Sequence, residues 1–239
     1  MQNRPNARYD LVRTFHPRRS ALGPARQHAL ARMWPRLGFS VHDDAQPPPL
    51  LADGTLDVET LFGRSAPLVV EIGPGMGEAV VAMAAADPDR DYLAVEAHVP
   101  GVANLLVMLD RLGLTNVRAA HGDAIELLAH RIRPGTLDAV HIFFPDPWPK
   151  ARHRERRLVQ PAHVALIRSR LRPDGTLHCA TDWAPYAAAM LETFAADEGL
   201  VNPFGGFAPR PAHRPVTNFE RRGLAAGRHV ADVIVTRVG

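Results

Sequence analysis

The chain has 239 residues, 46% of them hydrophobic, which is enough for one large α/β domain with a core that needs no disulfides. Its single cysteine, Cys179, cannot form an internal disulfide, and this fits a reducing compartment. The N-terminus lacks the apolar segment of a signal peptide, and no apolar run approaches the roughly 18 residues of a membrane helix. We therefore expect a cytoplasmic protein with no membrane association.

The net charge of +3 conceals an uneven distribution along the chain. Residues 1–40 carry +7, residues 41–145 carry −9, residues 146–172 carry +6 and residues 173–239 carry −1. Two basic segments around an acidic body are typical of a protein that binds a polyanion, such as a nucleic acid. The alternative is a solvated arm plus a charged helix face.

In chain order, residues 24–34 are predicted to form a short helix that begins at a proline, and residues 46–54 a linker. From residue 68 onward, short apolar runs alternate with amphipathic segments. The predicted strands are LVVEIG, DYLAVEA, NVRAAHGDA, LDAVHIFF and GTLHCATD. The predicted helices are GEAVVAMAAAD, PGVANLLVMLDRLG, AIELLAHRI, RLVQPAHVALIRSRL and PYAAAMLETFAAD. The last 40 residues hold no comparable helix and end in a predicted strand, VADVIVTRV.

Apolar strands that alternate with helices indicate a doubly wound, mostly parallel α/β sheet of the Rossmann-like kind, with both faces covered. We predict two parts: a basic N-terminal arm with its linker over residues 1–50, and the α/β domain over residues 51–239.

The first predicted strand ends in a glycine turn, EIGPGMGE, that contains Gly73, Gly75 and Gly77. A dinucleotide fingerprint would require a further glycine at position 78, where this chain has Glu78. A carboxylate at the start of the next helix would repel a pyrophosphate. S-adenosylmethionine, which has no phosphate and carries positive charge, suits this turn better. A merely tight strand–helix turn is the alternative.

Acidic residues lie at the ends of three successive predicted strands, and Glu71 adds negative charge just before the turn. Glu96 ends the second strand at the spacing expected of an acid that binds ribose hydroxyls. Asp123 ends the third strand, where it could accept a hydrogen bond from the adenine amino group. Either residue could instead cap a helix.

The fourth predicted strand leads into FPDPWPK, a proline-rich loop at the same edge of the sheet. The prolines stiffen this loop, so Asp146 and Trp148 would form a pre-organised site. An aromatic ring can stack on a base, and a carboxylate can accept from the adjacent N1–H and N2–H₂ donors of guanine. A packing role for Trp148 is the alternative. Lys150, the one lysine of the chain, follows in the same loop.

Five motifs, namely EIGPGMGE, AVEAHVPGV, FPDPWPKARHRERRLVQP, ATDWAPYA and RPVTNFERRG, resemble the bacterial tRNA (guanine-N7-)-methyltransferase family. The resemblance runs in order over nearly all of residues 13–239, and it implies the class I methyltransferase fold. It also implies methyl transfer from S-adenosylmethionine to N7 of a guanine in the variable loop of tRNA.

By position, the resemblance assigns Glu71, Glu96, Asp123 and Asp146 to the methyl donor, with Asp146 as the catalytic candidate. The glycines of the turn would line the same pocket. The residues that it assigns to the RNA substrate are Lys150, Asp182, Thr217, Asn218, Phe219 and Glu220. The family usually has T-K-F-E where this chain has TNFE, so a positive charge is absent at Asn218. Ala231 replaces a common tryptophan, and Pro74 stands where an aromatic residue is common.

Beyond the donor and the base, we expect the RHRERR segment, which includes Arg152 and Arg154, to contact phosphates together with Arg13, Arg18 and Arg19 of the arm. Two other functions stay open: methylation of a different substrate, and a non-catalytic RNA-binding subunit that retains the donor pocket. No obligate protein partner is evident. The histidines show no metal-binding sequence spacing, so we expect no metal site.

Overall fold

The computed structural model of the protein describes residues 21–42 and 47–239. Its α-helices are α1 Pro24–Leu37, α2 Val58–Phe62, α3 Glu78–Ala86, α4 Val99–Leu112, α5 Ala124–Arg131, α6 Pro161–Arg170, α7 Ala184–Ala195 and α8 Asn218–Ala225. Its strands are β1 Gly38–Ser40, β2 Leu68–Ile72, β3 Asp91–Glu96, β4 Val117–His121, β5 Leu137–Phe143, β6 Leu171–Thr181, β7 Leu200–Val201 and β8 Ala231–Arg237. A 3-10 helix spans Ala151–Arg156.

The strands form one sheet in the order β1-β4-β3-β2-β5-β6-β8-β7. Strands β1 to β6 are parallel to their neighbours, whereas β8 runs antiparallel to both β6 and β7. The predicted doubly wound, mostly parallel architecture is therefore confirmed.

Both faces of the sheet are covered, which explains why its central strands read as continuous apolar runs. Every residue of β2, β3 and β5 is buried. One core packs α5, α6 and α7 against one face, and a second core packs α1, α3 and α4 against the other. Alternate side chains of each strand thus reach different cores, and all must be apolar or hydrogen-bonded.

Part of the segment that the sequence assigns to the arm belongs to the sheet. Ala29, Met33 and Leu37 lie one turn apart on α1, and all three are buried in the core that contains α4. Helix α1 continues past Pro35, whose ring removes one helical hydrogen bond, and β1 then pairs with β4. The prediction ended this helix at residue 34 and missed β1, because burial of Leu37 outweighs the local proline signal. The remaining arm residues, 1–20, lie outside the described residues.

The site is positioned by the reversal of strand order between β2 and β5. From β2 the chain builds outward through β3 and β4, and it then crosses back to place β5 on the other side of β2. In open α/β sheets, ligands bind at this switch point, beyond the carboxyl ends of the strands. The glycine turn follows β2 and the proline loop follows β5, so the two motifs lie side by side.

Among the described residues, no helix is long and apolar enough to span a bilayer.

Candidate active site

A cavity of about 780 Å³ opens at the carboxyl ends of β2, β3, β4 and β5. Its volume lies in the range of small-molecule binding sites. Many of the residues predicted from the sequence line it: Glu71, Gly73, Gly75, Glu96, Asp123, Asp146, Thr217, Asn218 and Phe219. The structure therefore brings together the four acids and three residues of the TNFE motif.

The glycine turn has a backbone that only glycine adopts readily. Gly73, Gly75 and Gly77 all have positive φ, at 70°, 59° and 83°. Gly77 caps the start of α3 and packs against Leu105, so it shapes the turn from behind the cavity. Gly101 of α4 is a fourth requirement, which the sequence analysis missed. A Cβ atom there would lie 2.3 Å from the carbonyl oxygen of Gly75.

Glu96 fastens this turn to the end of β3. Its carboxylate accepts hydrogen bonds from the backbone amides of Gly75 and His98, both at 2.8 Å. Burial raises the pKa of Glu96, and the backbone amides act in the opposite direction. The carboxylate thus has a structural task in the turn, and its position on the cavity wall also suits contact with a ribose.

Glu71 is the most unusual acid of the site, because it is 2% exposed and has no cationic partner within reach. Its Oε2 atom has no hydrogen-bond partner among the described residues. Burial, followed by the nearby charge of Glu96, raises the pKa of Glu71 to about 8. A buried carboxyl group that lacks a partner in the ligand-free protein is typical of a site that awaits a donor or a cation.

Asp123 combines the two roles that the sequence left open. It is the N-cap of α5, with Oδ1 accepting a hydrogen bond of 2.8 Å from the amide of Ile125. The residue also lines the cavity. A cap and a ligand contact are compatible, because a carboxylate has several acceptor positions.

These residues fit S-adenosylmethionine. The cavity offers carboxylates and glycine backbone, and it offers no basic phosphate cradle beside the glycine turn. Glu71 supplies a buried acceptor for an ammonium group, while Glu96 and Asp123 lie where ribose and adenine donors would need acceptors.

The proline loop is held in a strained backbone by contacts behind it. Phe144 and Trp148 have positive φ, at 55° and 41°, which is uncommon for aromatic residues. The side chain of Arg157 is buried and donates from Nε to the carbonyl of Pro147 at 2.9 Å. Within the RHRERR segment, therefore, Arg157 supports the loop, and its predicted phosphate contact is wrong.

Trp148 is packed against the protein, as the alternative reading of this residue expected. Its side chain is buried, the guanidinium of Arg156 lies 5.1 Å from the ring centroid, and His153 contacts it edge-on. The ring does not line the cavity. Stacking of Trp148 on a base is not supported by this arrangement.

The loop exposes its polar side chains on the other side. Asp146 is exposed and lies on the cavity wall, next to the donor residues. Lys150, Arg152 and Arg154 are exposed outside the cavity, on and beside the 3-10 helix. They form a basic rim at the mouth of the site.

The TNFE motif closes the cavity from the C-terminal side. Thr217 caps α8, its hydroxyl accepting from the amide of Glu220. The amide of Asn218 donates to the Glu78 carboxylate at 2.6 Å, and the Asn218 side chain donates to the same group. The ring of Phe219 lies 5.0 Å from that of Phe144. The first turn of α8 is thus attached to both the glycine turn and the proline loop.

Two acids predicted to contact the guanine are engaged by arginines. Glu220 is buried and accepts two hydrogen bonds from Arg214, at 2.6 and 3.0 Å, so it does not face the cavity. Asp182 forms an ion pair of 2.7 Å with Arg228 and does not line the cavity either. The sequence missed both arginines, because they lie far from the acids' own strands and belong to no local motif.

Comparison with known proteins agrees with this geometry. Residues 65–233 match a protein family described as "Putative methyltransferase". The fold is similar to the 16S rRNA methyltransferase KamB, with a TM-score of 0.58 at 16% identity over 77% of this chain and 95% of that one. It is also similar to a 30S ribosomal A1408 methyltransferase from an uncultured bacterium, with a TM-score of 0.55 at 13% identity over 76% and 93% of the two chains. Fold and site thus define a methyltransferase with a Rossmann-like domain.

The sequence relatives narrow this class. The chain is 48% identical to the tRNA (guanine-N(7)-)-methyltransferase of Streptomyces avermitilis, over 95% of this chain and 76% of that protein. It is 49% identical to the enzyme of the same name from Halorhodospira halophila, over 93% and 94% of the two chains. The chain belongs to the tRNA (guanine-N(7)-)-methyltransferase family.

Proposed function

We propose that this protein transfers a methyl group from S-adenosylmethionine to N7 of a guanine in the variable loop of tRNA. The observation that carries the proposal is the position of Asp146. This residue lies on the wall of a cavity whose other acids suit the methyl donor, and a basic rim lies beside it. Family membership supplies the acceptor.

When bound, S-adenosylmethionine supplies a methyl group activated by a positively charged sulfur. Glu71 would bind the ammonium group of the donor, Glu96 the ribose and Asp123 the adenine. Gly73 and Gly75 allow close approach to the donor because they carry no side chains. Placing the donor in this way fixes the direction from which the acceptor must approach.

Asp146 would act on the acceptor. Guanine N7 already has an in-plane lone pair, so no strong base is needed to make it a nucleophile. Positive charge develops on the guanine ring during the transfer, and the carboxylate of Asp146 would stabilise it. The same carboxylate can help to hold the base in line with the methyl group.

The basic rim would bind the tRNA backbone. Lys150, Arg152 and Arg154 are exposed next to the cavity, where they can contact phosphates without choosing a sequence. Base choice must then come from the cavity itself, and Asn218 and Phe219 lie on its wall. Because tRNA is the substrate, we place the reaction in the cytoplasm.

The test is transfer of a labelled methyl group to bulk tRNA that lacks 7-methylguanosine, followed by borohydride–aniline cleavage of the product. We expect a single cut at one guanine of the variable loop. Donor binding without any labelling of tRNA would instead favour another acceptor or a non-catalytic RNA-binding protein. Labelling without cleavage would contradict the assignment to N7.

A further inference from the structure

Three histidines that are distant in the sequence meet beside the sheet. His141 lies on β5, His178 is its partner on β6, and His213 lies in the loop that precedes α8. Each can offer one ring nitrogen so that the three nitrogens lie within 4.8 Å of one another. The ring centroids are 5.6 to 5.9 Å apart.

The two histidines on the sheet have unused ring nitrogens. His141 and His178 are buried, and their Nδ1 atoms have no hydrogen-bond partner among the described residues. Buried polar atoms are nearly always paired in proteins, so two such atoms in one cluster call for an explanation. The third member, His213, is exposed and provides a route from solvent.

An acid orients one of the rings. The Nε2 atom of His178 lies 2.7 Å from Oδ1 of the buried Asp232, so Nδ1 is the nitrogen left for another partner. Metal-binding histidines commonly have their second nitrogen held by a carboxylate in this way. The pairing fixes the tautomer and the orientation of the ring.

The surrounding charges tolerate a cation. Arg214 lies near the cluster, but its charge is shared between Asp232 and Glu220, which together carry one more charge than it does. Arg90 is also nearby and is paired with Asp138. Burial lowers the pKa of His141, His178 and His213, so all three rings are neutral near pH 7. Neutral imidazole is the form that binds metals.

We propose that His141, His178 and His213 form a binding site for a divalent transition metal, with Zn²⁺ as the best match and solvent as the fourth ligand. Three imidazoles with one open position are an established zinc arrangement. Bonds of about 2.0 Å require ligand nitrogens about 3.3 Å apart, so the cluster must contract slightly around the ion. The exposed His213 can supply that movement, because it lies in a loop.

The place of His213 in the chain suggests what the metal would do. The next residue, Arg214, binds Asp232 of β8 and Glu220 of α8. A metal at the cluster would fasten the loop to β5 and β6, just before the segment that closes the active-site cavity. The metal would therefore stabilise this wall and would take no part in methyl transfer.

The sequence analysis expected no metal site, because it looked for ligands at short spacing. Here the ligands are 37 and 35 residues apart, and only the pairing of β5 with β6 and the return of the C-terminal loop bring them together.

The experiment uses the full chain without a histidine tag, stripped of metal with a chelator. Zn²⁺ is titrated by calorimetry, and Co²⁺ is added separately to record the visible absorption of a four-coordinate ion. We expect one metal ion per chain, the visible Co²⁺ bands and a rise in the unfolding temperature. His213→Ala should lose all three while keeping the unfolding temperature of the metal-free protein, because the residue is exposed.

The matched control is His130→Ala, which removes an exposed histidine from α5. This variant should bind metal as the unchanged chain does. The proposal would be overturned if stoichiometric binding is absent. It would also be overturned if His213→Ala binds as well as the unchanged chain, or if His130→Ala loses binding to the same degree.

Discussion

The two sides of the cavity are built differently. On the donor side, backbone geometry and strand ends set the site: positive-φ glycines, backbone amides on Glu96 and the buried carboxyl of Glu71. On the acceptor side, the polar side chains are engaged with other protein groups, as in the Glu220–Arg214 and Asp182–Arg228 pairs.

This difference has a functional meaning. The donor side is ready for its ligand, because its main acceptor, Glu71, has nothing to release. The exposed Asp182–Arg228 pair can exchange when RNA arrives, whereas the buried Glu220–Arg214 pair would cost far more to open. We therefore expect donor binding to leave the protein nearly unchanged and RNA binding to rearrange its rim.

The largest effect is expected at the residue that belongs to both sides. Asp146→Asn should lower the rate of methyl transfer by about 10²- to 10³-fold, because it removes the charge that stabilises the developing cation. Donor and tRNA affinities should change little. Rates are measured under single-turnover conditions with both substrates saturating. Asp89→Asn, at an exposed aspartate away from the site, is the matched control, and equal rates in the two variants would contradict the role of Asp146.

On the donor side, Glu71→Gln should weaken donor binding by about 10-fold near pH 8, because it removes the charge that an ammonium group requires. The pKa of Glu71 is about 8, so donor binding near pH 6 must first expel its proton. The affinity ratio of unchanged protein to variant should therefore rise between about pH 6 and 8. Calorimetry at several pH values gives this ratio, and a ratio that does not vary with pH would argue against contact.

The same raised pKa makes a separate statement about folding. Between about pH 5 and 8, folded Glu71 retains a proton that the unfolded chain has released, so its contribution to stability falls as the pH rises. Glu71→Gln should flatten this fall in urea unfolding. This result also shows that the variant is folded.

Much of the fold and of the donor side could be predicted, because strands, glycines and acids follow one another in short local patterns. The acceptor side could not be predicted as well. The partners of Asp182, Glu220 and Asn218 come from distant chain positions, and a sequence pattern does not show which acid is already paired. Trp148 illustrates this limit, since the arginine that covers its ring follows in a segment expected to bind phosphates.

The basic arm offers a test of how RNA reaches the acceptor side. Deleting residues 1–20 removes Arg13, Arg18 and Arg19 and should weaken tRNA binding and lower the salt dependence by about one unit of slope per lost phosphate contact. The cut must precede α1, because residues 24–40 belong to the fold. Filter binding over a range of salt concentrations measures both quantities. An unchanged slope would assign the arm no contact with tRNA.

The basic rim should contribute less than the arm. Replacing Arg152 and Arg154 together with alanine should lower the slope by about two and leave the donor affinity unchanged. Arg111→Ala, at an exposed arginine at the end of α4, should leave both unchanged. A loss of donor binding in the rim variant would show instead that these arginines support the cavity.

The smallest effect is expected at Asn218. In Asn218→Lys the backbone amide can still donate to Glu78, so the donor KM should change by less than about fivefold, the range of a surface ion pair. Pairing this variant with Glu78→Gln in a double-mutant cycle isolates the contact. A change of more than tenfold would give position 218 a direct role at the substrate.

The most direct measurement of the central claim uses a tRNA in which the guanine identified by cleavage is replaced by 7-deazaguanine. This base keeps the N1–H and N2–H₂ donors and carries a carbon in place of N7. The account predicts that this tRNA competes with ordinary tRNA for binding and accepts no labelled methyl group. Transfer of label to the substituted nucleotide would show that the enzyme methylates a different atom.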